Sequence, residues 1–163
     1  MQLSEHLTLA EATKSQTATR LGIDNSPTIA HMEALRAVAK NVFEPIRNHF
    51  GVPIAVTSGY RSKALNEAIR GSRRSQHCHG QAIDIDADVY GRITNAEVFH
   101  YIKDHIDFDQ LIWEFGEEPC EKSHTGCCSP DWVHVSYVDD GTNRGEVLIA
   151  YRENGRTRYK KYK

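Results

Sequence analysis

The stretch that decides the fold is Ser75-Gln76-His77-Cys78-His79-Gly80-Gln81-Ala82-Ile83-Asp84-Ile85-Asp86. After its glycine, apolar and acidic residues alternate, and this period of two predicts a β-strand. The isoleucines then share one face of the strand and the aspartates share the other. The same stretch carries two histidines just before the strand, so potential catalytic or metal-binding residues lie next to a predicted structural element.

Helical patterns lie mainly upstream of this strand. Apolar residues recur at three- and four-residue steps from Ile29 to Phe50, which predicts a long helix with one buried face. Pro45 lies inside that pattern and predicts a kink or break near Phe43-Glu44.

Strand patterns dominate the downstream half. Strands are predicted at 110–115, 132–137, 147–151 and 158–162. The last two flank Asn154-Gly155, a strong hairpin signal. We therefore expect an α+β fold, with helices in the N-terminal half packed on a mainly antiparallel sheet formed by the C-terminal half.

Length and composition narrow the class of protein. The 163 residues suit a single domain over 1–163. The formal net charge of −2 does not favour bulk electrostatic binding to nucleic acid. No apolar run approaches the length of a transmembrane helix, and the first residues lack the layout of a signal peptide. We expect a monomer that is made in the cytoplasm.

The candidate chemistry lies in two separate pieces of sequence. One piece holds His77 and Asp84, and the other is Asp131-Trp132-Val133-His134. Two imidazoles and one carboxylate on separate elements can bind a metal ion and leave one position open, as a catalytic zinc site requires. Spacing alone leaves a chance grouping as the alternative, because the chain has nine histidines.

Three segments resemble those of a known family. The pattern Ser75-x-His77-x-x-Gly80-x-Ala82-x-Asp84 is similar to the ligand signature of the zinc D-alanyl-D-alanine carboxypeptidases and the phage L-alanyl-D-glutamate endopeptidases, which have the hedgehog/DD-peptidase-like fold. The strand 132–135 resembles the third-ligand strand of that family, and 58–62 resembles its arginine-bearing segment. The resemblance covers about 30–140 and leaves 141–163 as a C-terminal hairpin.

The resemblance implies a Zn²⁺ site and two catalytic residues. His77, Asp84 and His134 match the zinc ligands, with His79 as a competitor for the first position. Asp131 matches a carboxylate that moves a proton from water to the leaving amine.

A second carboxylate competes for the proton-transfer role. Glu114, on a predicted strand, is the alternative to Asp131. Arg61 matches the arginine that holds or polarises the substrate carbonyl, and its alternative is an exposed arginine after a turn.

The function implied is a zinc peptidase that hydrolyses amide bonds in the stem peptides of peptidoglycan. A phage or prophage endolysin-type endopeptidase, which acts on the cell wall without a signal peptide, fits best. The alternatives are a periplasmic D-Ala-D-Ala carboxypeptidase and a non-catalytic metal-binding module of a phage particle. A non-haem iron oxygenase is a further rival, since it uses the same ligand types.

Four other features stay open at this point. Cys120, Cys127 and Cys128 could be reduced, could form a disulfide such as Cys120–Cys127, or could bind a structural metal. Asp86 and Asp88 suit either a calcium site or a solvated strand end. The loop 117–130 either lies at the rim of the cleft or is simply an insertion. The basic tail 152–163 is either an edge strand protected from pairing by its lysines or a surface that attracts an anionic polymer.

Overall fold

The computed structural model describes residues 1–123 and 127–163. Its α-helices are α1 (Leu9–Thr13), α2 (Gln16–Leu21), α3 (Ile29–Val38), α4 (Glu44–Phe50), α5 (Lys63–Ala68) and α6 (Asn95–His105). Its strands are β1 (Ala55–Ser58), β2 (Ala82–Asp86), β3 (Gln110–Glu114), β4 (Trp132–Ser136), β5 (Glu146–Glu153) and β6 (Arg156–Lys161). Short 3₁₀ turns at Gln76–His79 and Ala87–Tyr90 flank β2.

The strands form one sheet in the order β1-β2-β4-β3-β5-β6. Every neighbouring pair is antiparallel except β3 and β5, which are parallel. The α+β class with a mainly antiparallel sheet is therefore confirmed. The N-terminal half also contributes to the sheet, because β1 comes from Ala55–Ser58 and pairs with β2 at one edge. The assignment of 1–163 to a single domain stays a prediction.

The long upstream helix is interrupted where the sequence predicts it. A five-residue π-helical turn, Ala39–Phe43, separates α3 from α4. Pro45 has no N–H to donate, and its ring crowds the preceding turn, so the helix widens just before it. The turn keeps Val42 and Phe43 buried in the core, so the apolar face continues across the break.

The two faces of the sheet have different neighbours. One face carries the buried apolar residues that pack with α3, α4 and α6, among them Ile83, Ile85, Trp113, Val133 and Val135. Because side chains alternate along each strand, Asp84 and His134 lie on the opposite face. The helices thus bury one face of the sheet and leave the other available for a site.

The C-terminal strands form the predicted hairpin. Asn154 and Gly155 both have positive φ (49° and 73°), as a type I′ turn requires. This turn sets the register that pairs Ala150 with Tyr159 and Arg152 with Thr157. Because β6 is the last strand in the order of the sheet, it is an edge strand.

The cysteine-rich loop contains a disulfide between Cys120 and Cys128. This pairing differs both from reduced cysteines and from the Cys120–Cys127 disulfide that the sequence allows. The Cys127 sulfur lies 2.9 Å from that of Cys120, and Cys78 is free. Residues 124–126 of this loop lie outside the described residues. Within 1–123 and 127–163, no helix is long and apolar enough to cross a membrane.

A buried aspartate joins three segments near the site. Asp109 accepts hydrogen bonds from Gln76 Nε2 (2.9 Å) and from Arg144 Nε (2.9 Å) and Nη2 (2.6 Å). It therefore connects the 3₁₀ turn before β2, the start of β3 and the segment before β5. The Arg144 guanidinium, which hydrogen-bonds to it, lowers the pKa of Asp109 from its ordinary value of 3.8.

We predict that Asp109→Asn lowers the free energy of unfolding at pH 7 by about 1.5–3 kcal/mol, because hydrogen bonds to a charged group are lost. Since folding lowers the pKa of Asp109, its stabilisation is full above the ordinary carboxyl pKa and is lost as the pH falls through the lowered value. Urea unfolding of both proteins between pH 7 and pH 2 measures the difference.

The matched control is Asp104→Asn, which removes an exposed aspartate paired with Lys103. It should change the free energy of unfolding by less than about 0.5 kcal/mol. Equal losses in the two variants, or a gap between wild type and Asp109→Asn that persists at the acid end, would contradict this assignment.

Candidate metal centre

A short turn positions His77 in the site. The 3₁₀ turn Gln76–His79 ends at Gly80, which has a φ of +68°. A Cβ at this position would lie 2.4 Å from the His31 carbonyl oxygen, so only glycine fits. The turn buries His77, whose exposed fraction is 1%.

Asp84 and His134 reach the site from neighbouring strands. Asp84 on β2 is the direct cross-strand partner of His134 on β4. Residues directly opposite each other in an antiparallel pair project from the same face with their Cβ atoms about 5 Å apart. The register of these two strands is therefore enough to bring the carboxylate to the imidazole.

The three side chains converge at one point. His77 Nε2 lies 3.2 Å from Asp84 Oδ1 and 3.1 Å from His134 Nδ1, and the last two atoms are 3.0 Å apart. Ligands about 2.0–2.1 Å from a tetrahedral zinc ion lie roughly 3.3 Å from one another. The donor atoms thus already have nearly the spacing that one shared ion requires, and these residues fit a zinc site.

The tautomer of His77 suits a metal ligand. Its Nδ1 lies 2.6 Å from the Gly59 carbonyl oxygen, which can only accept, so Nδ1 carries the proton. Nε2 then presents its lone pair to the cluster. Burial lowers the pKa of His77, which favours the neutral ring that metal binding needs.

Asp84 is held ionised in the cluster. Burial alone would raise its pKa, but the neighbouring His77 and His134 rings outweigh burial and hold the pKa well below its usual range. A carboxylate between two imidazoles at these distances offers an ion one carboxylate oxygen and two imidazole nitrogens. This is the donor set found in catalytic zinc sites.

A cleft of about 680 Å³ opens over the cluster. Glu114 on β3 lines it and is 8% exposed. Burial raises the pKa of Glu114 to about 7, so this carboxyl can both take up and release a proton near neutral pH.

Arg61 also lines the cleft. Its backbone N–H donates to the carbonyl oxygen of His77 (3.1 Å), which fixes it beside the cluster. Its side-chain Nε is buried and finds no hydrogen-bond partner among the described residues. A buried donor without a partner is available to a bound molecule.

Asp131 is not brought to the cleft. Its side chain is exposed, and it is absent from the residues that line the cavity. Trp132 and His134 face the cleft, so strand alternation sends the residue before β4 away from it. Of the two carboxylates considered from the sequence, Glu114 lines the cleft and Asp131 does not.

Other candidate ligands have different surroundings. His79, the competitor of His77, is exposed. Asp86 and Asp88 both accept hydrogen bonds from the buried Asn95 side chain, which explains their proximity without calcium.

Two further groups of potential metal ligands lie outside the cleft. In the cysteine cluster, a disulfide already joins Cys120 to Cys128. In the group formed by Glu5, His6 and Glu44, the histidine pairs with Glu44 near the surface.

The C-terminal hairpin supplies cleft residues that our sequence reasoning missed. They are Leu148, Arg152, Thr157 and Tyr159. The parallel pairing of β5 with β3 puts Ala150 beside Glu114, so every second residue from there shares the face of the site. The sequence predicts a strand over 147–151 but does not show which strand pairs with it.

We predict that Gly80→Ala destabilises the fold and weakens binding of divalent metal, because the new Cβ collides with the His31 carbonyl and displaces His77. The matched control is Gly91→Ala, at the end of the other 3₁₀ turn, where φ is +64° and nothing lies within 4 Å of the added Cβ.

Gly91→Ala should lower the free energy of unfolding by about 1–2 kcal/mol because of backbone strain, and its affinity for metal should not change. Gly80→Ala should cost more and should lower the affinity. Urea unfolding and competition with a chelator measure the two effects, and equal values for the two variants would contradict the packing argument.

Comparison with known proteins identifies a family. The Peptidase M15 family model matches residues 5–117, which include Arg61, His77, Asp84 and Glu114. His134 and the hairpin lie beyond the matched segment. A search of the curated proteins finds no match. With more than two thirds of its residues matched, the chain belongs to the M15 family of zinc peptidases.

Proposed function

We propose that the chain is a peptidase that binds one zinc ion through His77, Asp84 and His134 and hydrolyses amide bonds in peptidoglycan stem peptides. The observation that carries this proposal is the convergence of the three donor atoms, all within 3.2 Å of one another, at a cleft. Family membership supports a peptide substrate.

The surroundings of the cluster suit amide hydrolysis. A bound zinc ion would supply an activated water and polarise the scissile carbonyl. Glu114 would take the proton from the attacking water and return it to the leaving amine. Arg61 would donate to the oxygen on which negative charge develops. No covalent bond to the chain is required.

Glu114 is a better candidate for proton transfer than Asp131. It faces the cleft from β3, its burial gives it a pKa of about 7, and the charges of His134 and Asp84 act on it. Asp131 is exposed and does not line the cleft. We therefore assign the general base to Glu114, the alternative considered from the sequence.

The biological role is also a proposal. We infer an endolysin-type endopeptidase of a phage or prophage, acting on the cell wall, with a D-Ala-D-Ala carboxypeptidase as the second candidate. Mass spectrometry of the fragments released from purified peptidoglycan separates them. Loss of terminal D-alanine alone indicates the carboxypeptidase, whereas cleavage within the stem indicates the endopeptidase.

We expect one zinc ion per chain in the wild type and none in His134→Ala, since two ligands hold zinc weakly. The control is His79→Ala, which changes an exposed neighbour of the cluster and should retain the full zinc content. Elemental analysis after dialysis measures both. Full zinc occupancy in His134→Ala would contradict the proposed ligand set. Iron in place of zinc would favour an oxygenase.

We expect Glu114→Gln to keep its zinc and to lose at least about 100-fold in turnover, the scale of general base catalysis. Asp131→Asn should retain most of the activity. Release of muropeptides from purified sacculi provides the assay. If Asp131→Asn is the inactive variant and Glu114→Gln is active, the assignment of the base is reversed. A zinc-loaded wild type that releases nothing indicates a non-catalytic module.

A further inference from the structure

The charge of the cleft differs from that of the whole chain. The chain carries a formal net charge of −2, yet among the described residues five arginines and two carboxylates line its cleft. The two carboxylates are Asp84 and Glu114, both of which already have roles at the metal centre. The arginines are Arg61, Arg70, Arg74, Arg144 and Arg152. An electropositive cleft attracts a negatively charged substrate.

Arg152 differs from Arg144 in its surroundings. Arg144 is already paired with Asp109, whereas no carboxylate of the described residues lies within ion-pair distance of Arg152. Its one hydrogen bond to a side chain runs from Nη1 to Thr157 Oγ1, at 3.3 Å. Most of its donors are therefore free for a ligand.

Arg152 is nevertheless held in place. Its guanidinium lies 4.6 Å from the centre of the Phe115 ring, within the range of a cation–π contact. Phe115 has a φ of +57°, which is unusual for a residue other than glycine, and its ring also packs against Trp132 at 5.3 Å. A strained backbone beside a site persists only where the surroundings enforce it. The same Phe115 ring contacts both Trp132 and the guanidinium of Arg152.

The sheet fixes the distance from Arg152 to the metal centre. Arg152 lies on β5, two strands from the His134 strand and next to the Glu114 strand. The β5 residue in line with His134 is Leu148, and Arg152 lies four residues further along the strand. With strands about 4.8 Å apart and a rise of about 3.3 Å per residue, its backbone is roughly 16 Å from that of His134. The Arg152 charge also acts on Glu114, which places it within electrostatic reach of the reacting groups. The arginine side chain covers part of this separation, and an extended peptide spans about 3.3–3.6 Å per residue, so the remainder suits a group about two or three residues away from the scissile bond.

We propose that Arg152, supported by Phe115, binds a carboxylate of the substrate peptide and so makes the C-terminal hairpin a specificity element of the cleft. The inference rests on the proposed function and names its substrate class: peptides that carry a free carboxylate near the cleaved amide. A planar guanidinium binds a carboxylate through two parallel hydrogen bonds. Stem peptides offer two such groups, the α-carboxylate of D-glutamate and the C-terminal carboxylate.

The test uses three synthetic stem peptides, Ala-D-Glu-Lys-D-Ala-D-Ala with γ-linked glutamate, its C-terminal amide, and its D-isoglutamine form. Each is assayed with the wild type, Arg152→Gln and Arg158→Gln. Arg158 is the matched control, because it lies on the same hairpin but faces the other way and pairs with Glu153. We expect the wild type to prefer the free acid over one of the two amides, and the identity of that amide shows which carboxylate is bound.

In Arg152→Gln, kcat/KM for the free acid should fall about 10- to 100-fold, mainly through KM, while the value for the discriminated amide stays the same. Arg152→Lys should restore part of the preference, and Arg158→Gln should behave as the wild type. Equal losses on acid and amide, an unchanged preference in Arg152→Gln, or the same loss in Arg158→Gln would overturn the inference and leave the proposed function intact.

Binding separates this inference from the proposed function. Calorimetric titration of zinc-loaded Glu114→Gln with the same peptides reports carboxylate preference without turnover. If the wild type cuts none of the peptides, the proposed function fails, and a preference for the acid that Arg152→Gln removes in the Glu114→Gln background still supports the carboxylate site. Absence of that preference overturns it.

Discussion

The site depends on the register between two antiparallel strands. The pairing of β2 with β4 sets Asp84 directly opposite His134, and a shift of one residue would send one of them into the core. The register is itself held by the apolar partners of the opposite face, where Ile83 pairs with Val135 and Ile85 with Val133. All four are fully buried, so hydrophobic packing fixes the positions of the polar ligands on the other side of the sheet.

Backbone geometry also positions the third ligand, His77, beside Asp84 and His134. Gly80 allows the tight turn, and the Gly59 carbonyl fixes the proton of the His77 ring on the nitrogen that faces away. Three groups that mainly accept hydrogen bonds then face one another in a buried place. A cation satisfies this arrangement better than a proton does, because it can be shared by all three.

The sequence predicted those features that depend on local pattern. The alternation from Ala82 to Asp86 gave the strand, Pro45 gave the interruption of the long helix, and Asn154-Gly155 gave the hairpin. The three metal-ligand candidates came from a resemblance in motif, and the structure brings them together. Strand alternation already turns Asp131, three residues before His134, to the other face of the sheet, but the resemblance in motif took precedence over it. The placement of Glu114 depends on which strand lies beside β4, and no local pattern contains that information. For the same reason, the parallel pairing of β3 with β5, which brings Arg152 into the cleft, could not be predicted.

The most direct test of the central claim is X-ray absorption at the zinc edge of the purified protein loaded with one equivalent of zinc. The shared site formed by His77, Asp84 and His134 predicts only nitrogen and oxygen ligands at about 2.0–2.1 Å, with the outer-shell scattering of two imidazole rings. A sulfur shell at about 2.3 Å would place the ion at the cysteine cluster instead and would contradict the account.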